Sequence, residues 1–437
     1  MEWYVFLIVI FAALFFVILT GLPISFSFLT ISVVATYLLI GPFGVRQLIL
    51  GMYDQSVNFN LTPIPFFMIM GEVFYQSGLV TRTIDTVSKF VRKVPGRLSV
   101  ITLFAGGVFA ALSGSAVANT AMFGSLMMPE MQQRGYNVRL TTGTIMASGA
   151  LAMFVPPSAL AVLLGSIAQI SIAKILVGTI IPGVILLFMY VIYVLGICAV
   201  KPELAPPYDV ETSSKKEMFK GLVIDILPLG FILMLVIGLI FLGIATPTES
   251  AALGALGSYI LTAFYRRFSI KLVFNTLVSS LKVTSMILMI IACSAGFSQL
   301  LSISGTSRKA VIAVLGISDN PSVILAVMLT IVLIIGLVLE QTALMMITLP
   351  IFMPVVHQFG IHPVWFGVLI LLCLQISQLT PPVGLVLFTM KGVSPPEVTM
   401  KDVYIGAFPF IIVNIVMLLL LIVFPSIVTF LPELRAM

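Results

Sequence analysis

The chain reads as apolar runs set between short polar breaks, with apolar segments at 3–20, 22–40, 61–79, 99–133, 140–169, 175–199, 221–245, 247–265, 284–303, 322–357, 363–390 and 403–430. Most match the ~20 apolar residues that one membrane-spanning helix needs. Two do not. The stretch Leu112-Ser113-Gly114-Ser115-Ala116-Val117-Ala118-Asn119-Thr120 is a small, polar, helix-poor break inside 99–133. It leaves arms of about fourteen residues, and at about 1.5 Å per residue each reaches roughly 21 Å, short of the ~30 Å hydrocarbon core. The segment is too long for one span and too short for two. It predicts a re-entrant helical hairpin whose tip lies near mid-membrane. Segment 322–357 predicts a second hairpin, with its tip at Leu339-Glu340-Gln341-Thr342-Ala343. Irregular backbone at that depth is tolerable only inside protein or beside a wet cavity. The amphipathic stretches Arg82 to Arg97 and Lys271 to Lys282 suit helices lying along the membrane interface.

The two halves echo each other. Pro129 and Pro354 are 354 − 129 = 225 residues apart, and the same offset pairs Gly135 with Gly360, Gln133 with Gln358, Gly71 with Gly296, and Pro156-Pro157 with Pro381-Pro382. Pro23 pairs with Pro247 at 224, and Lys174 with Lys401 at 227. The spacing predicts a first repeat over 1–200 with hairpin 99–133, a polar linker over 201–220 carrying Pro206-Pro207, and a second repeat over 221–437 with hairpin 322–357. Each repeat then holds five full spans plus one hairpin. Five is odd, so the second repeat is inverted relative to the first. One orientation leaves only Arg46, Lys174, Arg308, Lys309 and Arg435 outside, and 22 − 5 = 17 basic residues inside. The positive-inside rule selects it, placing both termini outside, with the first hairpin entering from the cytoplasm and the second from the opposite face.

Composition fixes the class. Of 437 residues 60% are hydrophobic and 9% charged, too apolar for a soluble core, so an all-α polytopic membrane protein is expected. The net charge of +6 is that of basic cytoplasmic loops. No basic stretch is interleaved with aromatics, which argues against a nucleic-acid partner. Cys198, Cys293 and Cys373 each sit alone in an apolar run and read as packing residues. Met1-Glu2-Trp3 lacks a basic region and no small-residue cleavage site follows, so the first apolar run reads as a retained span. The chain has no His-Glu-x-x-His, no Gly-x-Gly-Asp and no Gly-x-x-x-x-Gly-Lys-Ser/Thr, and His357 and His362 flank Gly360 at the outer end of the second hairpin. An intramembrane enzyme is therefore not expected.

Inverted repeats with hairpins entering from opposite faces are a transporter design, with substrate held near the midplane between the repeats. Each hairpin is followed by an interrupted span: Ala147-Ser148-Gly149-Ala150 running to Val155-Pro156-Pro157-Ser158, and Gln375-Ile376-Ser377-Gln378-Leu379-Thr380-Pro381-Pro382. Proline lacks an N–H and pushes its predecessor out of helical geometry, so each pair frees carbonyls to face the tip. Carbonyls and hydroxyls in excess suit a hard cation such as Na⁺. Nearby half-helix N-termini suit an anion. Among ionisable groups Glu340 is the foremost candidate, while Glu249 and Glu72 read either as transport residues or as interhelical hydrogen-bond partners. Asp225 is placed near the interface. Ser113, Ser115, Asn119 and Thr120 read either as ligands or as capping and small-residue packing.

At these residues the chain resembles the large membrane (M) subunit of tripartite ATP-independent periplasmic (TRAP) transporters, the DctM-like family, over essentially its whole length. The marks are Ser113-Gly114-Ser115, Pro129 with Arg134-Gly135-Tyr136, Pro156-Pro157-Ser158, Thr246-Pro247-Thr248-Glu249 and Thr380-Pro381-Pro382-Val383-Gly384-Leu385. The resemblance implies a sodium-driven importer of organic acids (carboxylate, sialate, sugar acid or sulfonate) in a bacterial inner membrane, working as an elevator against a scaffold. It implies two partners: a small four-helix membrane subunit (Q type), expected as a separate chain, and a periplasmic substrate-binding protein (P type). The Na⁺ and substrate residues it implies are Ser113, Gly114, Ser115, Asn119, Ser148, Gly149, Pro156 and Pro157 in the first half. In the second they are Glu340, Gln341, Thr342, Thr380, Pro381 and Pro382. Dicarboxylate carriers of the family often have Asn-Met-Glu before Thr-Pro-Pro, where this chain has Cys373-Leu374-Gln375. Importing a monoanion against an inside-negative potential costs about 2.3 kcal/mol per 100 mV, and one Na⁺ only cancels that charge. Two or more coupling ions are therefore expected, one at each hairpin. The competing expectation is a stand-alone Na⁺- or H⁺-coupled anion symporter of related two-hairpin architecture.

Overall fold

The computed structural model describes residues 3–90, 94–113, 115–207, 215–306, 309, 319–337, 339–382 and 384–434, and among them every regular element is a helix. The first half contains α1 (Trp3–Leu19), α2 (Ile24–Ile40), α3 (Pro42–Ser56), α4 (Pro63–Gln76), α5 (Leu79–Phe90), α6 (Arg97–Ser113), α7 (Ala116–Gln133), α8 (Val138–Ala150), α9 (Ala159–Ile167), α10 (Ile172–Gly178) and α11 (Ile180–Val200). The second contains α12 (Lys215–Gly221), α13 (Leu227–Phe241), α14 (Pro247–Phe264), α15 (Ile270–Ile303), α16 (Pro321–Gly336), α17 (Gln341–Gln358), α18 (Pro363–Leu379), α19 (Leu385–Val393), α20 (Met400–Val423) and α21 (Ser426–Leu434). Four helical runs, 172–200, 218–241, 270–303 and 400–423, are each long and apolar enough to cross a membrane. Phe16, Leu38, Phe231, Met234 and Phe264 stand exposed, a surface that suits lipid and not water. The chain is an all-α integral membrane protein.

The central helices are α8 and α18. Every residue from Leu140 to Ala150, and every residue from Phe366 to Leu379, is buried. A helix covered on all sides belongs at the centre of its assembly. Glycine lets α8 and α20 touch backbone to backbone, since a Cβ on Gly143 would sit 2.2 Å from the Gly406 carbonyl oxygen. A polar triad ties α11, α18 and α20 together. Gln375 Nε2 donates to Tyr190 Oη (3.1 Å) and Asn414 Oδ1 (2.8 Å), and Asn414 Nδ2 donates to Tyr190 Oη (2.7 Å), all fully buried.

Helix boundaries in the two halves fall in step: 341 − 116 = 225 and 358 − 133 = 225 for the ends of α17 and α7, and 363 − 138 = 225 for the starts of α18 and α8. Each tip helix is started by its own cap. Ser115 Oγ accepts from Ala118 N (3.3 Å), and Glu340 Oε2 accepts from Thr342 N (2.9 Å) and Ala343 N (3.4 Å).

Several expectations change. The first break is far tighter than Leu112–Thr120: α6 runs to Ser113 and α7 resumes at Ala116, because Ser115 supplies the N-cap that lets the polar residues after it be helical. Lys271 to Lys282 is no separate interfacial helix but the first part of α15, which runs unbroken for 34 residues. Nothing between Ile270 and Ala295 is glycine or proline, so two lysines give the helix no reason to stop. Helix α3, unforeseen, packs on α2 and α15. Of the linker, Pro202–Leu204 forms a 3₁₀ turn and α12 begins at Lys215, while 208–214 lie outside the described residues.

Candidate functional site

Both hairpin tips meet the broken helices that follow them. At the first, α7 leaves its cap with Asn119 and Thr120 pointing into the protein, both with no accessible surface. Asn119 Nδ2 donates to the Gly106 carbonyl (3.1 Å) and to the Ser148 carbonyl (3.0 Å), stitching α6, α7 and α8. Gly149 is obligatory there: a Cβ would lie 2.0 Å from Thr120 Oγ1 and 2.9 Å from the Ala116 carbonyl oxygen. Asn119 Oδ1 and Thr120 Oγ1 are buried with no hydrogen-bond partner. A buried polar atom without a partner costs about 1–3 kcal/mol, which a ligand would recover. The structure thus gathers Asn119, Ser148 and Gly149 and adds Thr120. Gly114 and the Ser113 side chain fall outside what is described.

The second tip borders a small cavity of about 120 Å³, lined by the polar residues Glu340, Gln341, Ser377 and Gln378 together with Gly336, Leu339, Leu344, Leu374, Gly384 and Leu385. Gln341 Oε1, Gln378 Oε1 and Gln378 Nε2 are buried there without partners. Gly336 makes room, as its Cβ would stand 2.7 Å from the Ser377 Cβ. The Glu340 carboxyl group caps α17 and also accepts from the Thr342 hydroxyl, so an acidic side chain sits at the positive end of the tip helix. Thr380 Oγ1 donates to the Ile376 carbonyl (2.6 Å) within its own helix end.

The two proline pairs sit at the breaks in different surroundings. Pro156 and Pro157 share a small apolar space with Leu176, Val177, Val236, Ile237 and Ile240. The Pro382 carbonyl accepts from Tyr404 Oη (3.3 Å). Neither pair lines the cavity at the second tip. Gln378 and Ser377 line this cavity and are candidates that reading the sequence missed. Their signal was an amide beside a hydroxyl in an otherwise apolar span, where a polar group is expensive.

The other acidic candidates serve the helices. Glu249 Oε2 accepts from the Thr246 amide (2.7 Å) and hydroxyl (2.9 Å) in a reciprocal cap of α14. Glu72 accepts from Gln76 Nε2 (2.6 Å) one turn on. Asp225 pairs with Arg82 (2.8 Å) and Thr86 (2.7 Å). His362 caps α18 through Trp365 N (3.3 Å).

A family model described as the tripartite ATP-independent periplasmic transporter, DctM component, matches residues 11–427. The large permease protein of the 2,3-diketo-L-gulonate TRAP transporter of Escherichia coli is 29% identical over 93% of this chain and 94% of that protein. The C4-dicarboxylate TRAP large permease of Pseudomonas aeruginosa is 29% identical over 91% of this chain and 92% of its own. The sialic acid TRAP large permease of Vibrio cholerae is 28% identical over 95% of each. Among solved structures the fold is similar to the YdaH transporter of Alcanivorax borkumensis, with a TM-score of 0.65, 17% identity, and 88% of this chain and 89% of that one covered.

Proposed function

The chain belongs to the DctM component family of tripartite ATP-independent periplasmic transporters, a family of transport permeases and not of enzymes, and on that premise we propose that it is the large permease subunit of a Na⁺-coupled importer of an organic acid anion in a bacterial inner membrane. The compounds for which the relatives are named, a keto-sugar acid, a C4-dicarboxylate and sialic acid, are all carboxylates, which supports an organic acid as the substrate class. The observation that carries the reading is that each tip faces its broken helix across buried polar atoms lacking a protein partner. At the first tip these are oxygens, Asn119 Oδ1 and Thr120 Oγ1, donors of the kind a hard, weakly polarisable cation takes. Ser115, Ser148 and Gly149 complete the surroundings. At the second, Glu340 and Gln341 offer oxygens while Gln378 Nε2 offers an N–H, so cation and anion can be held side by side. Na⁺ supplies the electrochemical drive when bound. The chain's own residues position the ion, keep the tip helices capped and exclude lipid.

The matched helix boundaries support two inverted repeats over 1–200 and 221–437, and the basic residues support termini in the periplasm. Hairpins and broken helices would move together as an elevator. A periplasmic binding protein delivers the anion, and a small four-helix subunit braces the scaffold as a separate chain. The test is uptake in proteoliposomes assembled with and without each partner. The expected result is uptake that needs Na⁺, the small subunit and the loaded binding protein. Full uptake by this chain alone would favour a stand-alone symporter instead.

A further inference from the structure

A cavity larger than the one at the second tip lies elsewhere in the molecule. It measures about 740 Å³ and opens between four segments distant in sequence: the turn before α4 (Asn58, Phe59), the end of α9 through the start of α10 (Gly165 to Lys174), the loop into α14 (Gly243 to Thr248), and Pro432 of α21. The charge reading of the sequence puts all four on the outer face. That volume falls in the range of small-molecule sites, roughly 300–1,000 Å³. Its charge is one-sided. Lys174 is the cation on its lining, exposed, and makes no salt bridge to any described carboxylate. No acidic residue is among the lining residues. The nearest acid in sequence, Glu249, is turned back on the Thr246 amide and hydroxyl. Ser166 Oγ also lines the cavity, is 6% exposed, and has no hydrogen-bond partner.

We infer that this cavity is an anion vestibule: Lys174 draws a small organic carboxylate or sulfonate to the outer face, and Ser166 receives it before it reaches the tips. A lone ammonium in a recess with low-dielectric walls raises the local concentration of anions, and an unpartnered buried hydroxyl gives an anionic oxygen a donor. An anion released by a binding protein would otherwise disperse into solvent. The vestibule deepens the transport reading and rests on it for direction, but its electrostatics can be tested apart from transport.

The native cysteines are buried, so one introduced at Thr248, or at Ser171 where the first variant is not recovered in the membrane, reports on the cavity. The probes are an anionic methanethiosulfonate, the ethylsulfonate, and a cationic one, the ethyltrimethylammonium, applied to the assembled complex. The expected result is an anionic-to-cationic rate ratio about fivefold higher with Lys174 than in Lys174→Gln, collapsing at high salt. Lys174→Arg is expected to keep the high ratio. A ratio unmoved by Lys174→Gln overturns the vestibule, whatever the uptake assays give. A chain that transports no anion would remove the transport reading and leave the ratio intact. In a competent complex, Lys174→Gln and Ser166→Ala are expected to raise the KM for uptake about threefold to tenfold with the sodium dependence unchanged. An unchanged KM in both also overturns the proposal.

Discussion

Glu340 shows how one residue serves two ends. Its carboxyl group takes two backbone amides and one hydroxyl at the start of α17, where Ser115 takes the Ala118 amide at the start of α7. Replacing Glu340 by Ala is expected to cost about 1 kcal/mol of tip-helix stability, and Glu340→Gln, which keeps an acceptor oxygen, much less. Amide hydrogen exchange over 341–346 checks this: faster exchange is expected in the Ala variant and near-native exchange in the Gln variant. For Gln378, whose amide has no partner, Gln378→Leu is expected to leave stability unchanged or improved, since it removes buried polar atoms that are unsatisfied. The same change is expected to weaken uptake at least tenfold. A Gln378→Leu protein that is less stable yet fully active would place that amide in structure and not in the site. The sequence made Asn119, Ser148 and Gly149 legible as a group, because small and polar residues are conspicuous in apolar runs. It could not show which atoms lack partners, since that depends on which carbonyls Asn119 reaches across to α6 and α8.

At the scale of elements, the paired helices α7 and α17 were legible from prolines and glycines at a constant offset. What was not legible was continuity. The polar residues 115–120 suggested a loop, yet a capped helix tolerates them in its first turn. The lysines of 271–282 suggested an interfacial helix, yet lysine is a good helix former and no glycine or proline interrupts that stretch. Close packing decides the central helices. Gly143→Leu is expected to drive α8 and α20 apart and abolish stable insertion, because the added side chain would enter the space of the Gly406 carbonyl. Asn414→Ala leaves Tyr190 and Gln375 with fewer partners and is expected to cost about 1–2 kcal/mol. A lowered thermal midpoint in detergent checks both, with Asn414→Asp as the shape-conserving control.

For the whole molecule, one of several ties between the halves lies at the start of α5 and the turn before it. Arg82 pairs with Asp225 and covers the Tyr265 ring at 5.0 Å, and Arg267 Nη1 donates to the Ser77 carbonyl (2.7 Å). Partly exposed ion pairs are worth about 1 kcal/mol or less. Asp225→Ala is therefore expected to loosen α5 alone, seen as faster hydrogen exchange over 79–90 with the rest of the chain unaffected. The central claim is that the buried, unpartnered oxygens at the first tip hold a coupling ion. Its most direct test is the sodium activation curve of anion uptake by the assembled transporter, wild type against Thr120→Ala. The account predicts a half-saturating Na⁺ concentration raised about tenfold, with membrane insertion intact and uptake recovered at high Na⁺. Superimposable curves from a properly inserted variant would contradict it.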